Sequence, residues 1–352
     1  MPKTSIEWTD HSWPVVNGCR RISDGCQNCY AERLAATRLR KTEKYRGLAV
    51  FKKHGPQWTG ETRLWTKDLA MPLRLRKPAR IFVADMGDLF YEGVSNETIA
   101  AVFGVMAAAP QHTFQVLTKR ARRMREWFAW LEATSAARTL GARSRLSFLA
   151  LCAEVAGEQV PITVDFMQRS GRDEWPLPNV WLGVSAEDQQ RADERIPELL
   201  ATPAAMRFVS YEPALGPVDF TNLTFDADTS IDALRRHGGG ERPRVLLHDA
   251  LDWIIVGGES GPGARPFKVE WVESVIAQCK RARTACFIKQ LGGHVITNGI
   301  QPAGDWWPKQ STETEEPSGG FRKRLVDKKG GDMTEWRPSL RVRQFPDAQR
   351  AT

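Results

Sequence analysis

Arg80-Ile81-Phe82-Val83-Ala84-Asp85-Met86-Gly87-Asp88 is a short apolar run that stops abruptly in acidic and glycine positions. A run of this length bounded by turn residues reads as a buried strand. A helix is expected next: Ser95 or Asn96 is placed to cap it, and Ile99, Val102, Phe103 and Met106 recur at i, i+3, i+4 and i+7. The two together make one strand-helix unit, and the chain repeats that unit in kind without repeating its sequence.

Downstream, Phe114 to Leu117 ends in Thr118-Lys119-Arg120, and Val180 to Val184 ends in Ser185-Ala186-Glu187-Asp188. Met206 to Ser210 ends in Tyr211-Glu212-Pro213, Trp253 to Val256 in Gly257-Gly258-Glu259-Ser260, and Ala285 to Ile288 in Lys289-Gln290. Amphipathic helices follow most of these runs, one with Met124, Trp127, Phe128 and Leu131 on a stripe, another with Val272, Val275, Ile276 and Cys279. Upstream, Trp13 to Val16 supplies a further strand. Such alternation argues for an α/β fold of mostly parallel strands joined by right-handed crossovers. A doubly wound sheet also fits the order, but polar residues at the end of every strand favour a complete or partial βα, TIM-like barrel, whose sites gather at that face.

Before the first of these units lies Gly18-Cys19-Arg20-Arg21-Ile22-Ser23-Asp24-Gly25-Cys26-Gln27-Asn28-Cys29-Tyr30, followed by a helix-like run from Ala31 to Arg40. Three thiols spaced C-x6-C-x2-C within one glycine-containing loop are able to converge on one metal. A structural zinc site takes four protein ligands, so a fourth such as His11 would have to complete it. A 4Fe-4S cluster held by three cysteines instead keeps one iron open to a cofactor or substrate.

The cysteine loop and the strand ends together resemble the radical S-adenosylmethionine superfamily. More closely, Trp13 to Cys29, Met86-Gly87-Asp88-Leu89-Phe90, Val256 to Pro266 and Phe287-Ile288-Lys289-Gln290 resemble a phage and prophage family with a three-cysteine motif. The first gap holds six residues where the superfamily has three, and Asn28 precedes the last cysteine where an aromatic is usual. The resemblance implies Cys19, Cys26 and Cys29 as cluster ligands, S-adenosylmethionine as cofactor, and an electron donor such as flavodoxin or ferredoxin. It also implies that the end of the second strand, Asp85 or Asp88, meets the cofactor's amino group, and that the end of the fourth, Ser185 or Glu187, meets its ribose.

The residues at the strand ends form a candidate set of their own: Asp85, Asp88, Lys119, Ser185, Glu187, Glu212, Glu259 and Lys289. In a barrel they share one cavity above the sheet. Gly257 and Gly258 open a glycine-rich stretch to Gly263 that either exposes backbone N-H groups to a carboxylate or phosphate or simply makes a tight turn. It has neither P-loop nor dinucleotide-fingerprint spacing. Cys152, Cys279 and Cys286 lie in apolar surroundings and read as small core hydrophobes.

At 352 residues, the chain suits one large barrel with insertions. Residues 1–309 form the expected barrel, with insertions at 134–177 and 221–249, and 310–352 a polar, flexible tail whose Met333 to Arg343 stretch docks back. The hydrophobic fraction of 41% supports a sizeable core, and no apolar run is long enough to span a membrane. Without a signal-like N-terminus the expectation is a cytoplasmic protein, its cysteines thiols or metal ligands. A net charge of +8, clustered at Arg38 to Lys41, Lys119 to Arg123 and Arg322 to Arg324, leans towards a nucleotide or nucleic-acid partner. Three functions therefore compete: a radical enzyme, a zinc-stabilised nucleic-acid-binding protein without catalysis, and a metal-independent hydrolase using carboxylates such as Glu187 and Glu212. A partner protein is compatible with each.

Overall fold

The computed structural model describes residues 1, 3–136, 143–156, 175–225, 229–235, 250–299, 304–308, 312–316 and 319–346. Parts of both expected insertions and the last six residues lie outside that range. The fold is α/β. Its central sheet is built from β1 (His11–Trp13), β2 (Arg80–Val83), β3 (Thr113–Thr118), β4 (Val180–Ser185), β5 (Met206–Tyr211), β6 (Trp253–Gly257) and, after a short β7 (Phe267–Lys268), β8 (Ala285–Gln290). The strand order is β1-β2-β3-β4-β5-β6-β8. Each strand lies beside the one that precedes it in the sheet, with no reversal of order, as in a partial barrel; a doubly wound sheet would reverse direction at a switch point.

The first strand starts and stops earlier than expected, because Pro14 has no N-H to give to a ladder. It pairs in parallel with β2, Trp13 opposite Val83, and β2 pairs with β3, Val83 opposite Val116. Among the described residues there are seven helices: α1 (Tyr30–Ala36), α2 (Met71–Arg74), α3 (Asn96–Ala108), α4 (Ala121–Ala136), α5 (Arg143–Ala156), α6 (Gln189–Leu200) and α7 (Val269–Ala282). The helix after the cysteines ends at Ala36 rather than Arg40, where the Thr37 hydroxyl bonds back to the Arg33 carbonyl at 2.6 Å. Ser95 caps α3 by accepting from the Thr98 amide, and Asp188 caps α6 by accepting from Arg191.

By contact, the chain divides into two compact units: Met1–Gly183 with Thr202–Met206, and Val184–Ala201 with Arg207–Thr352. In the first, Phe90, Phe103, Trp127 and Phe128 form an aromatic core, with Phe103 and Trp127 ring centroids 4.6 Å apart. Each such side chain, fully buried, contributes roughly 1.5–3 kcal/mol. In the second, β5, β6 and β8 run parallel, Trp253 opposite both Phe208 and Ala285. A smaller sheet in this unit has the order β7-β9-β11-β10, with β9 (Val295–Thr297), β10 (Thr312–Glu315) and β11 (Phe321–Arg324). The stretch expected to be flexible thus contains a hairpin. The end of the chain docks on β8: Arg343 bridges Phe287 in antiparallel fashion, the Ile288 amide donates to Val342, and the Gln344 amide donates to Cys286.

No described helix is long and apolar enough to cross a membrane.

Candidate functional site

Three attachments fix the cysteine loop within the first unit. At its start the Gly18 amide donates to the Met86 carbonyl at 3.1 Å, continuing the alignment of β1 on β2. Gly18 has φ +90°, and a Cβ there would come within 2.2 Å of the Glu61 carbonyl oxygen, so both conformation and space require glycine. Within the loop, Arg21 donates to the wholly buried Glu32 of α1 at 3.0 Å, and Glu32 also accepts from the Trp58 amide at 2.7 Å. The third attachment is Arg120, at the end of β3, whose Nη2 donates to the Arg20 carbonyl at 2.8 Å.

Arg120 is the hub of the site. Its Nη1 donates to Asp88 at 3.0 Å and lies 3.6 Å from the Cys19 sulfur, its Nε donates to Glu92 at 2.9 Å, and its guanidinium covers the Tyr91 ring. Burial alone would weaken its hold on the proton, but the carboxylates of Asp88 and Glu92 more than offset that and keep it a cation. Asp88 is correspondingly full: one oxygen accepts from the Phe90 amide and the Thr118 hydroxyl, the other from the Lys119 amide and Arg120.

Cys26 closes a single 3-10 turn, and Cys29 starts α1, its amide donating to the Cys26 carbonyl at 3.3 Å. Burial pushes the Cys19 thiol up to about 12, with Asp88 adding to the rise and Arg120 opposing it. Burial raises Cys29 too, and Cys26 contributes to that rise as Cys29 does to Cys19, so the three are electrostatic neighbours. Among the described residues, no three His, Cys, Asp or Glu side chains are gathered into a group able to hold a metal ion. The donor chemistry nevertheless suits a thiophilic centre, since a metal is what lets a desolvated thiol lose its proton.

Asp85 ends β2 beside this loop: the Tyr30 hydroxyl, one residue past Cys29, donates to its carbonyl at 2.6 Å. Its Oδ1 is buried and, among the described residues, has no hydrogen-bond partner. Burial pushes the carboxyl up to about 6, while Ser12 and the charge of Lys44 work the other way. Lys44 itself is bonded to Asp68 at 2.6 Å. An ionised carboxylate oxygen without a donor is a receptor for a cationic group.

In the second unit, the end of β5 brings Glu212 within 3.0 Å of Lys289 at the end of β8, and the Ser210 hydroxyl donates to Glu212 at 3.1 Å. Gly257 makes room for this, because a Cβ there would lie 2.4 Å from the Glu212 oxygen. Gly258 packs in the same manner against the Leu291 carbonyl. Glu187 is buried in an ion pair with Arg195 at 3.0 Å, and Arg195 also donates to the Ser185 carbonyl at 2.7 Å. Glu259 accepts from the Arg265 amide and Nε, both at 3.0 Å. The structure therefore gathers the cysteines, Asp85 and Asp88 in one unit, and Glu212, Gly257 and Lys289 in the other, while Glu187 and Glu259 each face an arginine.

Arg120 and Glu32 did not stand out in the sequence, where Arg120 reads as one of a solvated basic cluster. Its position directly after a strand was the available signal. Cys279 and Cys286 are buried, their thiols in contact, and Cys152 is half-buried.

The chain belongs to the family described as "Protein of unknown function (DUF5131)", whose model matches residues 3–337. No curated protein and no solved structure matches it.

Proposed function

We propose that the cysteine loop holds a 4Fe-4S cluster, and that the protein is an S-adenosylmethionine-dependent radical enzyme acting on a nucleotide or nucleic acid. The observation that carries this reading is the buried Oδ1 of Asp85, without a hydrogen-bond partner among the described residues, at a strand end whose carbonyl is held by Tyr30, the residue after Cys29. Cys19, Cys26 and Cys29 would be the ligands. When bound, such a cluster supplies an electron and an iron free of protein ligands, and with them the reductive cleavage of S-adenosylmethionine. Asp85 would accept the cofactor's ammonium group, which satisfies its orphaned oxygen. Arg120 would donate an N-H to the Cys19 sulfur, favouring the thiolate, while Asp88 holds Arg120 in place. The sequential strand order supports a TIM-type partial barrel as the scaffold. The hydrolase reading has less support, since Glu187 and Glu212 are each held by a cation and neither is poised to deliver a proton.

Iron and sulfide analysis of oxygen-free preparations tests the proposal, together with the paramagnetic spectrum of the reduced protein before and after adding S-adenosylmethionine. Near-stoichiometric iron and a spectrum altered by the cofactor are expected. Asp85→Asn should keep the iron and weaken cofactor binding at least tenfold. Stoichiometric zinc, with no iron after reconstitution, would overturn the reading in favour of a zinc-stabilised binding protein.

A further inference from the structure

Two stretches that are far apart in the sequence, the glycine-rich turn after β6 and the basic strand β11, meet in the second unit. Between them is an open cavity of about 400 Å³ lined by Gly261, Arg322, Lys323, Arg324, Asp327 and Lys328, among others. We propose that this cavity binds the phosphodiester backbone of a nucleic-acid strand, an inference that stands whichever metal the cysteine loop holds.

Charge sorting across the strand supports it. Arg322 and Arg324 share one face of β11, about 7 Å apart at two residues' rise, a separation of the order of that between successive backbone phosphates. Their cross-strand partners on β10 are Thr314 and Thr312, so Glu313 and Glu315 alternate onto the opposite face. There Lys323 is spent internally, paired with Glu313 at 3.1 Å over the Trp307 ring. Among the described residues, the side chains of Arg322, Arg324 and Lys328 have neither an ion pair nor a hydrogen bond.

The acids near the cavity are already engaged. Asp327 accepts from the backbone amides of Lys329, Gly331 and Asp332 at 2.7–3.1 Å, which turns its charge into its own loop. Glu259 is bound by Arg265, and Glu316 lies 3.4 Å from His294. What remains is a concave surface with three cations that no described residue compensates. Among the described residues its lining includes no aromatic side chain on which a base could stack. The chemistry reads phosphate, and the openness of the site admits a continuous chain rather than enclosing a mononucleotide.

Binding of a fluorescent oligothymidylate to the full chain, followed by anisotropy over a salt series, tests this. Replacing Arg322, Arg324 and Lys328 together by Ala should weaken binding at least tenfold at low salt. It should also reduce the slope of log affinity against log salt by about 2, since each single-strand phosphate contact contributes roughly 0.7. The control variant Arg38→Ala/Arg40→Ala removes exposed charge in the other unit and should stay within twofold of the parent. Thymidine monophosphate and inorganic phosphate should compete only at far higher phosphate concentration. The proposal is overturned if the triple variant binds like the parent, if both variants lose affinity equally, or if the monophosphate competes as well as the oligonucleotide. Melting temperatures of both variants, expected to match the parent, separate lost binding from lost folding.

Discussion

The guanidinium of Arg120 joins the Cys19 sulfur, 3.6 Å from its Nη1, to the Asp88 carboxylate, 3.0 Å from the same nitrogen. One buried cation thus connects the end of β3, the end of β2 and the loop that carries the thiols. Removing it leaves the Asp88 carboxylate without its counter-charge and the Arg20 carbonyl without that donor, in a place water reaches poorly. Arg120→Ala should therefore destabilise the metal-free protein by about 3–5 kcal/mol, as breaking a buried pair does. Arg120→Lys keeps the charge but not the fork that reaches Arg20 and Glu92, and should fall between. Urea unfolding measures both; a loss under about 1 kcal/mol for the alanine variant would contradict the bracing role.

The desolvated Cys19 thiol makes a chemical prediction. With its pKa near 12 rather than the ordinary 9.0, its thiolate fraction at pH 8 is roughly a thousandfold lower. Iodoacetamide labelling of the metal-free chain, read by peptide mass spectrometry, should find Cys19 labelled far more slowly than an ordinary exposed thiol. Rapid labelling at pH 8 would show that the surroundings do not hold the thiol protonated. For the same reason, metal uptake should release protons, measurable as heats that differ between buffers of different ionisation enthalpy.

Asp85 should leave a signature in stability against pH. Its folded pKa of about 6 lies above the ordinary value of 3.8, so between those values the native state holds more protons than the unfolded chain. Stability from this group is therefore greatest at acid pH and is lost as pH rises towards and through 6. The full loss is about 3 kcal/mol, at 1.36 kcal/mol per unit. Asp85→Asn, which is never ionised, should raise the melting temperature at pH 8 and do so less at pH 5. A gain that is equal at both pH values would place the effect elsewhere than in the charge.

Glu187 invites the opposite experiment. Because it is buried against Arg195, Glu187→Ala should cost about 3–5 kcal/mol by stranding the arginine. Replacing both partners by methionine should recover most of that loss in urea unfolding. A stable Glu187→Ala protein that has lost only cofactor affinity would restore Glu187 to the ligand-binding set.

The strands were legible because each is a continuous apolar run ended by polar residues, and every central strand was found within a few residues. Pro14 was the visible reason the first one stops at Trp13. What the sequence concealed is how charges pair around the cysteine loop. Asp85 and Asp88 read as equivalent strand-end acids, yet one has a buried oxygen with no donor and the other accepts four hydrogen bonds. That distinction depends on Arg120 and Thr118 arriving from about thirty residues downstream, which no local pattern encodes. The basic run at 322–324 likewise hid its alternation, with one cation spent on Glu313 and its two neighbours unspent, until β10 fixed which face each residue takes.

The docking of the chain's end on β8 bears on self-association. A terminal strand of a sheet offers a row of unpaired amides and carbonyls to any other strand it meets, and β8 is apolar enough to be a hazard of that kind. Here the Val342 carbonyl and the Gln344 amide occupy that row, the Trp253 indole donates to the Gln344 carbonyl, and Phe345 covers the rings of Trp253 and Phe287. Residues 342–345 act as a built-in gatekeeper, so that a chain trimmed before Arg341 would keep its cysteine loop intact yet expose a sticky edge, and would be expected to aggregate with rising concentration.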